Sequence, residues 1–318
     1  MAIPGKVALL GANGAIGRTL GPLLSARGTP YRVVGRSLLA LQVRFHEDPL
    51  CEHYQWDPED DASLAEACSG ANTVVYLVGI ALWKFKDHLP LMDRVLRASR
   101  AAGVQRFLLV SSNWSYSEAS ATKITEQHPR RPTTDKGEIR REQEDRVLRA
   151  HEPGVFATGV LRMADLYGPK VEASHLWSVF QAARKGTEAQ VLGPVDTAHE
   201  FVFVPDAAAT ILQLLAQDAA WRGATAEAWN LAGPSVTTIR GMTEAIFETE
   251  RKPAKYNVPG ALMMRVVRAM NPYIRELSEM QYLLREAWLL DDAKLSALLG
   301  GLPKTGYAEG IRQTLAIR

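Results

Sequence analysis

The chain has 318 residues, 47% of them apolar and 23% charged, an ordinary globular balance with room for one large domain or two modest ones. Its 37 Lys and Arg against 35 Asp and Glu leave a formal net charge of +2, which calls for neither nucleic acid nor an acidic surface as partner. Cys51 and Cys68 give no disulfide framework, strand-like sequence from Lys6 leaves no room for a secretory leader, and the apolar run from Val74 to Trp83 is about half a membrane span. The expectation is a reduced, cytoplasmic protein with no membrane partner.

The first predicted element is a strand from Val7 to Leu10, which releases Gly11-Ala12-Asn13-Gly14-Ala15-Ile16-Gly17. A loop that binds a dinucleotide's diphosphate needs a tight turn, a backbone without Cβ where the anion approaches, and a helix N-terminus facing that anion. Here the spacing is GxxGxxG, and its context fits: Ile16, Leu20, Leu23 and Leu24 continue at helical spacing, and Tyr31 to Val34 reads as the next strand. Gly35-Arg36-Ser37 follows that strand. NAD binding favours a carboxylate there to hold the ribose hydroxyls, whereas a guanidinium and a hydroxyl suit the 2′-phosphate of NADP(H). Arg36 and Ser37 therefore point to NADP(H).

Farther along, His46-Glu47-Asp48 with Cys51 and His53 contains metal-ligand types but meets no standard spacing, so no metal site is expected. Strands are predicted at Thr73 to Val78, Arg106 to Val110 and Gly159 to Arg162, with a crossover helix through Leu91, Val95 and Leu96 ending at Gly103. After Tyr167-Gly168-Pro169 the composition shifts toward Met, Trp and Pro, yet Glu200 to Val204 and Trp229 to Leu231 still look like sheet. The alternation predicts an α/β fold, a doubly wound parallel Rossmann sheet with a smaller C-terminal substrate domain. Residues 1–168, with returning segments near 200–232, would bind the dinucleotide, and the remainder of 169–318 the substrate.

These landmarks, with Trp56-Asp57-Pro58, Phe107 to Ser112, Leu161 to Pro169, Phe201 to Asp206, Leu290 to Lys294 and Tyr307 to Arg312, resemble in order the extended or atypical short-chain dehydrogenase/reductases. That superfamily comprises the NAD(P)-dependent epimerases and dehydratases. The resemblance spans nearly the whole chain. It implies that Asp57 meets the adenine amino group, that Leu77, Val78 and Gly79 line the ribose and diphosphate, and that Ser111 lies beside the cofactor. It also leaves a homodimer through helices flanking the sheet open.

The family's hydride chemistry uses a Ser or Thr after the fourth strand, a Tyr as acid/base, and a Lys one helical turn beyond the Tyr. Ser112 matches the first. Where the Tyr-x-x-x-Lys should lie, the chain reads Thr133-Thr134-Asp135-Lys136-Gly137-Glu138-Ile139-Arg140, with no tyrosine. The register that keeps the helix puts Lys136 at the Tyr position and Arg140 at the Lys position, on one helical face. Three routes follow. Lys136 donates the proton, its pKa lowered by Arg140 and burial; a substrate hydroxyl, water or Tyr116 does so; or the fold binds NADP(H) without turning it over.

On the substrate side, nucleotide-sugar members of the family place an arginine before the strand containing Phe201, where this chain has His199-Glu200, and another in the C-terminal part. Arg265, Arg268 and Arg275 remain as candidates for the second. Trp83, Phe85, Trp114, Trp177 and Met163 favour a small, mostly apolar or aromatic carbonyl or alcohol substrate. The leading expectation is thus an NADP(H)-dependent oxidoreductase of such a molecule. A noncatalytic NADP(H)-binding sensor and a sugar-nucleotide epimerase or dehydratase are the alternatives.

Overall fold

The computed structural model describes residues 2–46, 48–116, 123–260, 270, 276 and 279–317. Eleven strands are described: β1 (Val7–Leu10), β2 (Tyr31–Gly35), β3 (Cys51–Gln55), β4 (Thr73–Tyr76), β5 (Arg106–Ser112), β6 (Ala157–Met163), β7 (Asp165–Tyr167), β8 (Ala189–Gln190), β9 (Phe201–Phe203), β10 (Glu227–Leu231) and β11 (Tyr256–Asn257). Seven of them form one parallel sheet in the order β10-β6-β5-β4-β1-β2-β3. The winding reverses between β1 and β4, so a crevice opens outside their carboxyl ends, where ligands of doubly wound sheets bind.

The central strands are apolar on both faces because both are covered. Leu9, Val33, Val75 and Leu108 pack against α1 (Ala15–Ala26) and α7 (Val204–Ala216). Leu10, Val34, Tyr76 and Leu109 pack against α3 (Asp61–Cys68), α4 (His88–Ala101) and α5 (Asp135–Arg149). Between β2 and β3 runs α2 (Leu38–Arg44). A separate apolar cluster joins Phe180 of α6 (Trp177–Lys185), Phe201 and Phe203 of β9, Phe247 of α8 (Ile239–Thr249) and Ile311 near the C-terminus.

Two sheet expectations change. β3 is a strand where the sequence shows only scattered metal-ligand types, because Cys51-Glu52-His53-Tyr54-Gln55 lacks a buried alternation; it is the sheet's partly exposed edge, and no metal-binding cluster occurs among the described residues. The segment Glu200 to Val204 does not join the main sheet: β9 pairs with β7, and Val204 already begins α7, where Pro205 sits in the first turn and lacks only an N–H the helix does not use. No helix among the described residues is long and apolar enough to cross a membrane.

Candidate dinucleotide and active site

Gly11 leaves β1 with φ +85°, and a Cβ there would lie 2.9 Å from the backbone of Leu77 and Val78. Only glycine fits that turn against the end of β4. Its N–H and that of Ala12 donate to the Val34 carbonyl, at 3.0 and 3.2 Å, which ties the loop to β2. Gly14 caps α1 with no side-chain cap bond and no acid in the first turn, so the helix's first N–H groups are left for an anion. Gly17 lets α1 close on the loop, since a Cβ there would sit 2.4 Å from the Ala12 carbonyl oxygen.

The crevice beyond this loop is a cavity of about 830 Å³. Of the residues expected to hold a cofactor, Gly11, Asn13, Gly14, Arg36, Ser37, Leu77, Val78 and Gly79 line it. Ala15, Ile16 and Gly17 form the first turn of α1 behind the loop, with Ile16 in the core. Ser37 is also the N-cap of α2, accepting from the Ala40 N–H at 3.3 Å, and its own hydroxyl proton remains to be donated.

Two expected positions differ. Asp57 lies outside the main cavity, in an adjoining depression with Tyr54, Asp60 and Ser63; its carboxylate accepts from the Glu59 N–H at 2.9 Å and closes a turn. Ser111 faces the α5 side of the sheet, where its hydroxyl donates to Glu144 at 2.6 Å.

At the carboxyl end of β5, Ser112 caps the short turn Asn113–Ser115, its hydroxyl accepting from Trp114 N–H. α5 is launched from there by Thr134, whose hydroxyl accepts from Gly137 N–H at 3.2 Å. Lys136, in the first turn, is 4% exposed, and its ammonium bonds Glu276 at 2.7 Å and also Glu279. Burial works to lower its pKa, but the two carboxylates outweigh burial and hold it above the ordinary lysine value. The expected lowering is therefore reversed: Lys136 is a locked cation.

Arg140 does not join Lys136 at a shared opening. Its guanidinium lies over the Phe85 ring, 5.1 Å from the centroid, bonds Gln143, and keeps a buried Nε with no hydrogen-bond partner. Burial lowers its pKa. His88 packs edge-on to Phe85 and accepts or donates with Gln143 at 3.3 Å; burial and the neighbouring Arg140 charge push it down to about 2, so it stays neutral.

Tyr116 is ruled out as a free proton donor. It is fully buried, donates to Asn230 Oδ1 at 2.7 Å and accepts from Arg162 at 2.9 Å, and burial raises its pKa. Arg162 also donates to Glu144 at 2.9 Å. Ser111, Glu144, Arg162, Tyr116 and Asn230 thus form one buried chain of hydrogen bonds beneath Ser112, in which every charge has a partner.

The NAD dependent epimerase/dehydratase family model matches residues 7–232, from β1 through the end of β10. The chain belongs to that family. It is 27% identical over 268 residues to a dTDP-6-deoxy-L-talose 4-dehydrogenase (NAD(P)+) of Kitasatospora kifunensis, covering 79% of this chain and 81% of that enzyme. Its fold matches DesIV, a dTDP-glucose 4,6-dehydratase of Streptomyces venezuelae, with TM-score 0.81, 18% identity, and 98% and 96% of the two chains covered. It also matches a UDP-N-acetylglucosamine 4-epimerase of Bacillus cereus, with TM-score 0.76, 16% identity and 98% of each chain covered.

Sequence reasoning about this family member missed a cluster beyond β6. Met163 is the cross-strand neighbour of Ser112, and Asp165 lies just past it, beyond the carboxyl end of β6. The Asp165 carboxylate meets His199 Nε2 at 3.0 Å and His175 Nε2 at 3.6 Å. Burial tends to raise its pKa, but the His199 bond and both imidazoles hold it below the usual carboxylate range. Beside it, Glu200 is 3% exposed and accepts from Leu290 N–H at 2.8 Å; burial pushes it up to about 7. The signal for Asp165 was its position two residues after a buried strand, at the edge where sites form. Arg265, Arg268 and Arg275 lie outside the described residues.

Part of the apolar inventory is consumed by packing, while Trp114 and Trp177 are half-buried. Met163 is in the core, Phe85 is buried against His88 and Trp114, and Trp83 is 62% exposed.

Proposed function

We propose that this family member is an NADP(H)-dependent oxidoreductase acting on a sugar nucleotide. The observation that carries the cofactor is the cavity at the end of β2, where Arg36 and Ser37 stand in place of a ribose-binding carboxylate and share one space with the glycine loop. A nicotinamide held there would supply hydride transfer. The chain's own contribution is to hold the diphosphate at the N-terminus of α1, to seat the adenosine end against Arg36, and to offer the Ser112 hydroxyl at the end of β5 to a substrate oxygen.

A sugar nucleotide is favoured over the small apolar carbonyl for two reasons. Two of the apolar side chains invoked for the latter, Phe85 and Met163, are buried in packing, and the curated relative is a dTDP-deoxysugar dehydrogenase. Cytoplasmic location and homodimer formation remain part of this reading.

One observation favours a second reading, a noncatalytic NADP(H) binder. The residue at the family's Tyr position is an ammonium locked by two carboxylates, and an ammonium that keeps its proton is a poor exchanger at neutral pH. The test is NADPH binding by fluorescence, followed by NADP+ reduction with dTDP-6-deoxy-L-talose and other dTDP- and UDP-sugars. Turnover that falls in Ser112→Ala at unchanged NADPH affinity supports the enzyme. Tight NADPH binding without turnover of any of these sugars supports the binder.

A further inference from the structure

Besides Arg94, three arginines line the cavity from three different elements: Arg18 from α1, Arg36 from the end of β2, and Arg44 from the last turn of α2. Like charges so placed repel: burial together with Arg44 lowers the Arg18 pKa, against a smaller opposing pull from Glu172. None of the three has an ion-pair partner among the described residues, although most arginines that pack on the sheet have one. Arg32, Arg94, Arg106, Arg146 and Arg162 all meet carboxylates. Glu59, an acid on the same cavity wall, lies 3.6 Å from Arg94.

What holds Arg18 and Arg44 in place is a single neutral residue. Arg44 donates to Asn13 Oδ1 at 2.6 Å, and Arg18 donates through Nε to the Asn13 carbonyl oxygen, also at 2.6 Å. Asn13 is itself in the dinucleotide loop and touches the end of β2, its amide nitrogen lying 2.8 Å from where a Gly35 Cβ would be. A neutral tether fixes the direction of a guanidinium without consuming its charge, whereas a carboxylate would consume both.

We propose that Arg44, aimed by Asn13, is a second ligand of the cofactor's 2′-phosphate beside Arg36, and that Arg18 serves the diphosphate common to both cofactors. The assignment rests on the NADP(H) reading and extends it to residues outside the strand-end position. The division follows from placement. Arg44 lies in the last turn of α2, the helix that follows Arg36 and is capped by Ser37, whereas Arg18 lies on the helix whose N-terminus faces the diphosphate. A dianionic phosphate on Arg44 would also offset the repulsion between Arg44 and Arg18 that the free protein carries. Asn13 is then a positioning residue, because it reaches the phosphate only through Arg44.

Titration calorimetry with NADPH, NADH, 2′,5′-ADP and 5′-AMP tests this without any substrate. Expected for Arg44→Ala is an about ten- to hundredfold loss of NADPH and 2′,5′-ADP affinity, with NADH and 5′-AMP within about twofold. Asn13→Ala should show the same selectivity in weaker form, and Arg44→Lys should recover only part of it, since a point charge replaces a fork. Arg18→Ala should weaken NADPH and NADH alike. Thermal melts of each variant separate lost contacts from lost folding, and the NADH arm does so again in the same cell.

If Arg36→Ala loses NADPH selectively while Arg44→Ala changes nothing, the Arg44 assignment is overturned and the cofactor reading stands. A selective loss in Arg18→Ala overturns the division of labour. Wild-type protein that binds NADH as tightly as NADPH overturns the NADP(H) reading and this assignment with it.

Discussion

The two ends of the same sheet edge carry similar numbers of charged groups and treat them in opposite ways. At the end of β2, Arg18, Arg36 and Arg44 line an open cavity, and Arg18 and Arg44 lean on one neutral asparagine. At the end of β5, Glu144 and Arg162 are buried in a pair, with Tyr116, Ser111 and Asn230 completing their hydrogen bonds, and Lys136 is clasped by Glu276 and Glu279. A charge left unpaired beside a cavity is set for a ligand. One that is paired and buried holds elements together, and removing its partner leaves an uncompensated charge.

The largest expected break of this contrast is Glu144→Ala. It strands Arg162 inside the sheet and should cost about 3–5 kcal/mol of stability, read by denaturant unfolding. NADPH affinity of the folded fraction should stay near wild type; a selective loss of NADPH with little destabilisation would dissolve the distinction between the two ends. Next is Arg36→Ala. It should leave the melting temperature within a degree or two and reduce NADPH affinity by about 1.5–3 kcal/mol, while NADH is little affected.

Glu200→Gln sharpens the comparison through pH. Burial raises the folded-state pKa of Glu200 to about 7, above its unfolded value, so the folded chain holds this proton more tightly. Its contribution is fully present below the unfolded carboxylate range, about pH 4, and is lost as pH rises to about 7. The glutamine keeps an acceptor for Leu290 N–H without burying a charge. It should therefore be more stable than wild type by about 1–3 kcal/mol at pH 8, with the gap closing toward pH 4–5. A constant difference across that range would show that the carboxyl does not titrate in the fold.

The smallest effect is expected for Lys136→Met. Its partners Glu276 and Glu279 are about a quarter exposed, so solvent screens much of the pair, and a loss of about 1 kcal/mol at most is expected in thermal melts. NADPH affinity should be unchanged. If turnover is found, its survival in this variant would confirm that the proton travels elsewhere. Asp165 with His175 and His199 is one acid–base cluster at that edge to probe next.

The buried pair at β5 was nearly legible. Arg162 stands inside the apolar run Val160-Leu161-Arg162-Met163, and a charge in a strand covered on both faces requires a buried partner. What hid the partner was α5 itself, whose run of Glu, Arg and Asp reads as a solvated face. Only packing against β5 and β6 shows that Glu144 points inward while Arg141 and Glu138 pair on the outer side. The edge strand β3 was hidden for the opposite reason, since a partly exposed strand carries no apolar signature.

The sequence by itself determined the dinucleotide loop, the parallel sheet and the arginine after β2, because these rest on local properties. A positive φ at Gly11, a helix that must approach at Gly17, and the alternation of strand and helix are written in neighbouring residues. Tertiary structure alone decided which charges are free. Lys136 meets Glu276 and Glu279, 140 and 143 residues away, Tyr116 is sealed by Arg162 and Asn230, and Arg44 is swung onto Asn13. A side chain's charge is fixed by its identity, but its availability depends on what the fold places within a few ångströms of it.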